Sequence, residues 1–345
     1  MVRKIAAVAA MAFVVGAAPV TAQALNGAGA TFPDPIYEKW FDAYAKKTGV
    51  KINYQAVGSG AGITQFTNGT VDFGATDGPM NGDQMNAVQG DVLHIPTVIG
   101  AVVLTWNMPA LGATQLKLDG PTIADIYLGK ITKWNHPRLV ALNPGVKLPG
   151  DDIIVVHRAD GSGTSYIFAD FLAKVSPEWK SKVGVGNSPN WPTGLGGSKN
   201  DGVTQQVKQS PGSIGYVELI YAIANKLPFA LVKNKAGSFA NPSLESATAA
   251  AGSATFAANT DFRVSITDAP GAESYPISSF TWLLVRPNTK DATKAKQMKG
   301  FLEWMITPAA QEMGKALAYA PLPKPVVALV AARLKTLKGA GKPIM

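Results

Sequence analysis

The sequence contains no cysteine. That excludes disulfides, thiol chemistry and a lipid anchor on an N-terminal thiol, so an exported form would hold together by its core alone. Charge is also sparse. Asp, Glu, Lys and Arg make up 16% of the residues, against roughly a quarter in ordinary soluble domains. A disordered or tail-like chain needs the opposite balance. Beyond the N-terminus, no run stays apolar for the roughly 20 residues that span a bilayer. The three histidines, His94, His136 and His157, lie far apart without metal-ligand spacing. No cluster of carboxylates suits paired metal ions. The nucleotide-binding patterns G-x-x-x-x-G-K-[ST] and G-x-G-x-x-G are missing, as is the nucleophile pattern G-x-S-x-G.

The first residues form a pattern of their own. Arg3 and Lys4 precede an uncharged apolar run from Ile5 to Ala18, and Ala22-Gln23-Ala24 follows as a small-x-small site. This is the layout of a secretory signal peptide over residues 1–24, cleaved after Ala24. The alternative, a membrane anchor, needs a longer run. Cleavage leaves 321 of the 345 residues, a length that suggests about two domains. The formal charge is +9, of which Arg3 and Lys4 carry two, leaving +7. Such a field gathers anions. The lysines are scattered, and no RRM, zinc-finger or helix-turn-helix pattern accompanies them, so nucleic acid is not expected as a partner.

Hydrophobic periodicity predicts alternating strands and helices, and so α/β layers. Helices are predicted over 34–47, 60–68, 122–128, 162–175, 291–316 (broken near Pro308) and 326–338. Strands are predicted over 50–57, 71–75, 94–106, 153–157, 214–217 and 275–286. The valine-rich run from His94 to Trp106 reads as a buried strand crossing from one domain to the next. Residues 236–258 are rich in Ala, Gly and Ser and fit either loop or weak helix.

One chemical element recurs three times. Gly27-Ala28-Gly29-Ala30-Thr31-Phe32, Gly58-Ser59-Gly60-Ala61-Gly62 and Gly161-Ser162-Gly163-Thr164-Ser165 each lead from a strand into a helix. Glycine permits close backbone approach. The first helical N–H groups lack intrahelical partners, and the dipole end there favours negative charge. Each loop is a plausible oxyanion seat; taken singly, each reads first as an ordinary Ser/Thr cap, and it is the three together, with an arginine beside one, that favour the anion site. Arg158 stands beside the third loop and can hold an oxyanion with two hydrogen bonds, with Asp160 steadying its guanidinium. The plainer alternative is a surface Arg–Asp pair. Asp77, in Phe73-Gly74-Ala75-Thr76-Asp77-Gly78-Pro79, reads as a turn residue or as part of the site. In an anion site an acceptor-only carboxylate helps only if the ligand brings a proton. Phosphate does so at neutral pH and sulfate does not.

Gly27 to Pro33, Val71 to Asp77 and Arg158 to Ser165 together resemble signatures of the periplasmic phosphate-binding proteins of high-affinity phosphate ABC transporters. Asp125 to Ile131 and Gly212 to Glu218 are similar too, and the order holds across nearly the whole chain. The resemblance implies a two-lobed periplasmic binding protein fold (type II-like), with a hinge and an interlobe cleft that binds phosphate. It implies lobe 1 from residues 25–100 and 276–345, and lobe 2 from 101–275. Carried over, Thr31 and Phe32 would offer backbone N–H groups, Thr31 also its hydroxyl, and Ser59 both hydroxyl and amide. Asp77 would accept the phosphate proton. Arg158 would be the charged donor, held by Asp160, and Ser162, Gly163 and Thr164 would close the far side. One Arg and one Asp sum to zero, which leaves the anion to neutral donors and helix ends.

The sequence departs from the pattern at Gly60, where a second serine is frequent, and at Ala61, where glycine is usual; altered affinity is expected. The resemblance further implies a monomer without cofactor that delivers phosphate to membrane permease subunits. Rival readings are a binding protein for another oxyanion, such as arsenate, sulfate or molybdate, and a phosphate-ester hydrolase. Asp77 argues against sulfate and molybdate. The lack of a nucleophile motif argues against an enzyme, and His157 next to Arg158 on a strand should face away from it.

Overall fold

A computed structural model describes residues 24–112, 114–257 and 259–344. The leader expected over 1–24 lies, Ala24 excepted, outside them. Among the described residues no helix is long and apolar enough to cross a membrane.

The architecture is α/β around one long, curled sheet. Its strands are β1 (Leu25–Gly29), β2 (Ile52–Ala56), β3 (Phe73–Thr76), β4 (Leu93–Trp106), β5 (Ile154–Arg158), β6 (Leu195–Gly197), β7 (Ser213–Glu218) and β8 (Ser278–Val285), in the order β2-β1-β3-β8-β4-β7-β5-β6. The parallel pairs β2-β1-β3 and β7-β5-β6 are joined through the antiparallel strands β8 and β4.

Strand β4 is the member that crosses. Only Leu93 escapes full burial, as its run of Ile, Val and Leu requires of a strand covered on both faces. From Leu93 to Ala101 it pairs with β8, and from Val102 to Trp106 with β7. The partner changes between Ala101 and Val102. The return connection lies beside it, since the Val102 amide donates to the Ile277 carbonyl and the Tyr275 hydroxyl to the Val102 carbonyl.

Helix α1 (Asp34–Thr48) buries Ile36, Tyr37, Trp40, Phe41 and Tyr44, an i, i+4, i+8 face, and stops at Gly49 in a left-handed conformation. Helix α2 (Ser59–Thr67) follows β2, and α3 (Gly163–Val175) follows β5 with Ser162 as its cap. Helix α4 (Lys199–Gln209) and the short α5 (Leu219–Ala224) flank β7, and α6 (Ala292–Met305) packs near α1. The predicted break near Pro308 is present, with a separate helix over Pro308–Glu312. The open segment 236–258 contains a helix, Leu244–Gly252, capped by Ser243.

Candidate binding site

The three Gly/Ser/Thr segments meet where the two halves of the sheet face each other, although Gly27 to Gly29 of the first belong to β1, leaving only Ala30 to Pro33 as its loop, and Ser59 to Gly62 of the second already lie in α2. Contacts between 58–62 and 160–163 bring the second and third together. The Gly60 amide donates to the Gly161 carbonyl at 2.8 Å. A Cβ on Gly163 would stand 2.6 Å from both the Ser59 hydroxyl oxygen and the Asp77 amide nitrogen. Only glycine permits that approach, and it sets the start of α3 directly against the loop after β3. The first loop joins through Thr31, whose hydroxyl oxygen accepts from Asn200 Nδ2 at 2.9 Å; the same nitrogen lies 3.4 Å from Thr164 Oγ1.

The site is rich in donors. Thr31, Ser59, Asp77, Arg158, Ser162 and Thr164 are all buried. Among the described residues the amides of Thr31 and Phe32 reach no protein acceptor, an unusual state for buried N–H groups. The Phe32 ring turns away, over Gly100, where a Cβ would meet it at 2.5 Å. Its carbonyl is occupied by the Tyr319 hydroxyl at 2.6 Å, and the Thr31 carbonyl by Tyr221 at 2.6 Å. Both tyrosines thus occupy the loop's acceptors, while its N–H groups are left without a protein partner among the described residues. Ser162 caps α3 by accepting from the Ser165 amide at 3.1 Å. Its hydroxyl proton remains free to donate, so capping and anion contact are compatible in one residue.

Arg158 is gripped by Asp160: Nε donates to Oδ1 at 2.8 Å and Nη2 to Oδ2 at 2.6 Å. The Arg158 side chain is 1% exposed, so this is not the surface pair that the sequence also allowed. Nη1 donates to Thr164 Oγ1 at 3.3 Å. Burial by itself would raise the Asp160 carboxyl. The hydrogen bonds and charge of Arg158, with the Lys199 amide at 2.8 Å, outweigh it and hold the carboxyl below its ordinary range.

Asp77 has the opposite environment. Its Oδ1 accepts from Thr281 at 2.8 Å, and Ser59 Oγ lies 3.4 Å from Oδ2. Burial pushes its pKa up to about 7, against the lowering pull of Thr281, Arg158 and Ser59. A carboxyl poised there shares a proton readily with a ligand of similar acidity.

His157 stacks on Trp191, with ring centroids 4.9 Å apart, and its Nδ1 meets the Arg158 carbonyl at 3.0 Å. It braces the strand that carries Arg158.

The profile described as "PBP superfamily domain" matches residues 16–309. The phosphate-binding protein PstS of Pasteurella multocida is 44% identical over 319 residues, 91% of each chain. Its counterpart in Xylella fastidiosa is 44% identical over 303 residues, 88% of this chain and 82% of the other. The chain belongs to the phosphate-binding protein PstS family. Among solved structures, the phosphate-binding protein from Stenotrophomonas maltophilia aligns over 91% of this chain and 94% of the other, with a TM-score of 0.70 at 23% identity. A high-affinity periplasmic phosphate-binding protein solved with phosphate aligns over 90% and 93%, with a TM-score of 0.73 at 21% identity. These two share the fold.

Against that PstS background, five residues around the site escaped sequence reasoning: Asn200, Glu218, Tyr221, Thr281 and Tyr319. Asn200 had a signal, since Gly196-Gly197-Ser198-Lys199-Asn200 is a fourth Gly/Ser stretch opening a helix. Glu218 ends the Gly212 to Glu218 segment that carries part of the resemblance, but nothing in that segment marks its role; Tyr221, Thr281 and Tyr319 act through side chains on ordinary strands, helices or turns, with no local pattern to mark them.

Proposed function

We propose that the chain binds inorganic phosphate between its lobes in the periplasm and passes it to the permease subunits of an ABC transporter. The observation that carries this reading is the pairing of one clamped, buried guanidinium, Arg158, with one buried carboxyl of raised pKa, Asp77, inside a ring of neutral donors. A fully charged tetrahedral anion suits the donors and clashes with the carboxylate. A tetrahedral anion that shares one proton with the carboxyl suits both. Protonated phosphate has that chemistry near neutrality.

The proposed ligand contacts are the amides of Thr31, Phe32, Ser59, Gly163 and Thr164, the hydroxyls of Thr31, Ser59, Ser162 and Thr164, Arg158 and the carboxyl of Asp77. Asp160 holds Arg158 without touching the ligand. Lobe 1 comprises 25–100 and 276–345 and lobe 2 comprises 101–275, hinged where β4 changes partners. The protein acts as a binding protein and not as an enzyme. Its leader is cleaved after Ala24, and it works as a monomer. In this mechanism phosphate bridges the lobes, stabilises the closed arrangement, and closure marks the loaded protein for the permease.

Calorimetric titration of ligand-stripped protein at pH 8, above the raised pKa of Asp77, tests the reading. One-to-one phosphate binding with silent sulfate, accompanied by compaction in small-angle scattering, is the expected result. Equal or tighter sulfate binding would overturn the phosphate assignment, and unchanged dimensions would overturn the closure mechanism.

A further inference from the structure

We infer that Asn200 is a positioning residue that sets the polarity of the binding site, by compelling the hydroxyls of Thr31 and Thr164 to present their protons, not their lone pairs, to the anion. The inference rests on the reading of this cleft as a phosphate site.

Asn200 is fully buried at the start of α4. Its Oδ1 accepts from the Glu218 backbone amide at 3.0 Å. A backbone N–H can only donate, so this contact decides which end of the side-chain amide faces β7. The NH2 end must then face the two threonines, at 2.9 Å from Thr31 Oγ1 and 3.4 Å from Thr164 Oγ1. A hydroxyl that accepts from an NH2 group cannot direct its own proton there. Thr164 also accepts from Arg158 Nη1, so both its lone pairs are engaged and its proton is its remaining function. An anion site needs that state, because a hydroxyl turned the other way would oppose the ligand with a lone pair.

The location makes Asn200 more than a satisfied core amide. Thr31 follows β1, whereas Thr164 opens α3 and Asn200 lies in α4 beside β7, so the Asn200–Thr31 contact spans the two halves of the sheet. The preceding residue supports the same purpose. Lys199 adopts φ of 65°, a left-handed conformation uncommon for a residue with a side chain. In that conformation its amide reaches Asp160 Oδ1 at 2.8 Å, the carboxylate that clamps Arg158. One turn therefore aims the charged donor and two neutral donors together, and strained backbone is known to persist where a site requires it.

A double-mutant cycle on the full mature chain, read by phosphate calorimetry, separates positioning from bulk support. Asn200→Ala should weaken phosphate binding by about tenfold or more, because the two threonine hydroxyls it aims lose part of their charge-assisted contact with the anion. In a Thr31→Val/Thr164→Val background the same change should cost less than about threefold, because the protons that Asn200 aims are gone. Equal losses in both backgrounds would overturn the inference. Asn200→Asp guards against a folding defect: it keeps the shape and the Glu218 contact but offers the threonines an acceptor. Phosphate binding should fall by more than about 100-fold while the circular dichroism spectrum is retained. Wild-type affinity in Asn200→Asp would also overturn it. Failure of the wild-type protein to bind phosphate would remove the underlying reading and this inference with it. Phosphate binding by wild type with an additive cycle would remove the inference alone.

Discussion

Gly60 donates its amide to the carbonyl of Gly161 at 2.8 Å, and a Cβ on Gly60 would lie 2.9 Å from the α-carbon of Gly161. Two backbones therefore touch across the cleft at a point where neither residue has a side chain. Gly60 also lies in the first turn of α2, so helix stability and cleft closure make opposite demands on it.

Gly60→Ala should separate the two. Alanine is favoured over glycine in a helix by roughly 0.5–1 kcal/mol, so the ligand-free protein should melt slightly higher. The same methyl group presses on Gly161 in the closed form, an overpacking cost of about 1 kcal/mol or more. Phosphate affinity should then fall by roughly five- to tenfold. Differential scanning calorimetry and titration on the same sample check both signs.

Asp77→Asn replaces an acceptor-only group by one that both donates and accepts. The variant should keep phosphate binding in reduced form and should bind sulfate, which no longer meets a carboxylate. The raised pKa of Asp77, about 7, predicts the same trend in the wild type. Below that pH the protonated carboxyl can donate to a fully charged anion, so sulfate competition should appear at pH 5.5 and vanish at pH 8. Sulfate titrations at the two pH values decide it.

Arg158→Lys should weaken phosphate binding by about 100-fold or more. An ammonium cannot reproduce the two-bond grip of Asp160 at 2.8 and 2.6 Å, and a lysine is a flexible point charge where the site uses a rigid fork. The released Asp160 carboxylate would also face the ligand. Asp160→Asn in the Arg158→Lys background should recover part of the loss, a rescue readable by the same titration.

Glu218 ends β7, fully buried, opposite Val102 where β4 changes partners. Its Oε2 accepts from the Ile220 amide at 2.8 Å, while Oε1 has no partner among the described residues. Burial drives its pKa well above the ordinary range, and burial also raises Asp77 and Asp34 to about 7. A carboxyl raised in the folded state stabilises the fold fully below its unfolded pKa, and that contribution is lost as pH rises through the folded value. The melting temperature of the ligand-free protein should therefore drop between pH 5.5 and pH 8. Glu218→Gln keeps the acceptor at Ile220, removes one of the three titrations and should make the decline shallower.

The strongly periodic elements were legible in advance. Helix α1 appeared within a residue of its predicted span because its aromatic face repeats at the helical period and Gly49 closes it. Strand β4 was legible as a buried crossing because fourteen residues carry no charge. Helix α4 was not, although its buried positions, Asn200, Val203, Thr204 and Val207, follow i, i+3, i+4, i+7. Two of those four are polar, Asn200 satisfied by Thr31, Thr164 and Glu218 and Thr204 by the Asn200 carbonyl one turn back, so hydropathy alone showed no apolar stripe. The Ala-rich segment 236–258 stayed open because alanine favours helix without marking a buried face; the Ser243 cap and the packing of Ala247, Ala250 and Ala251 place the helix.

The sequence by itself determined the chemistry of the parts: three glycine-rich loops with hydroxyl donors, one Arg–Asp pair and one aspartate in a turn, because these depend on residue type and near neighbours. It also carried the family, because the motifs keep their order along the chain. Only the tertiary structure decided that the loops meet, that Arg158 and Asp77 are buried, and that Asn200 links Thr31 to Thr164. Those facts arise from contacts between residues as much as 204 positions apart, as in Thr281 to Asp77. The raised pKa of Asp77 belongs to the same class, since a carboxyl's acidity is set by the water and charge that folding takes away or brings near.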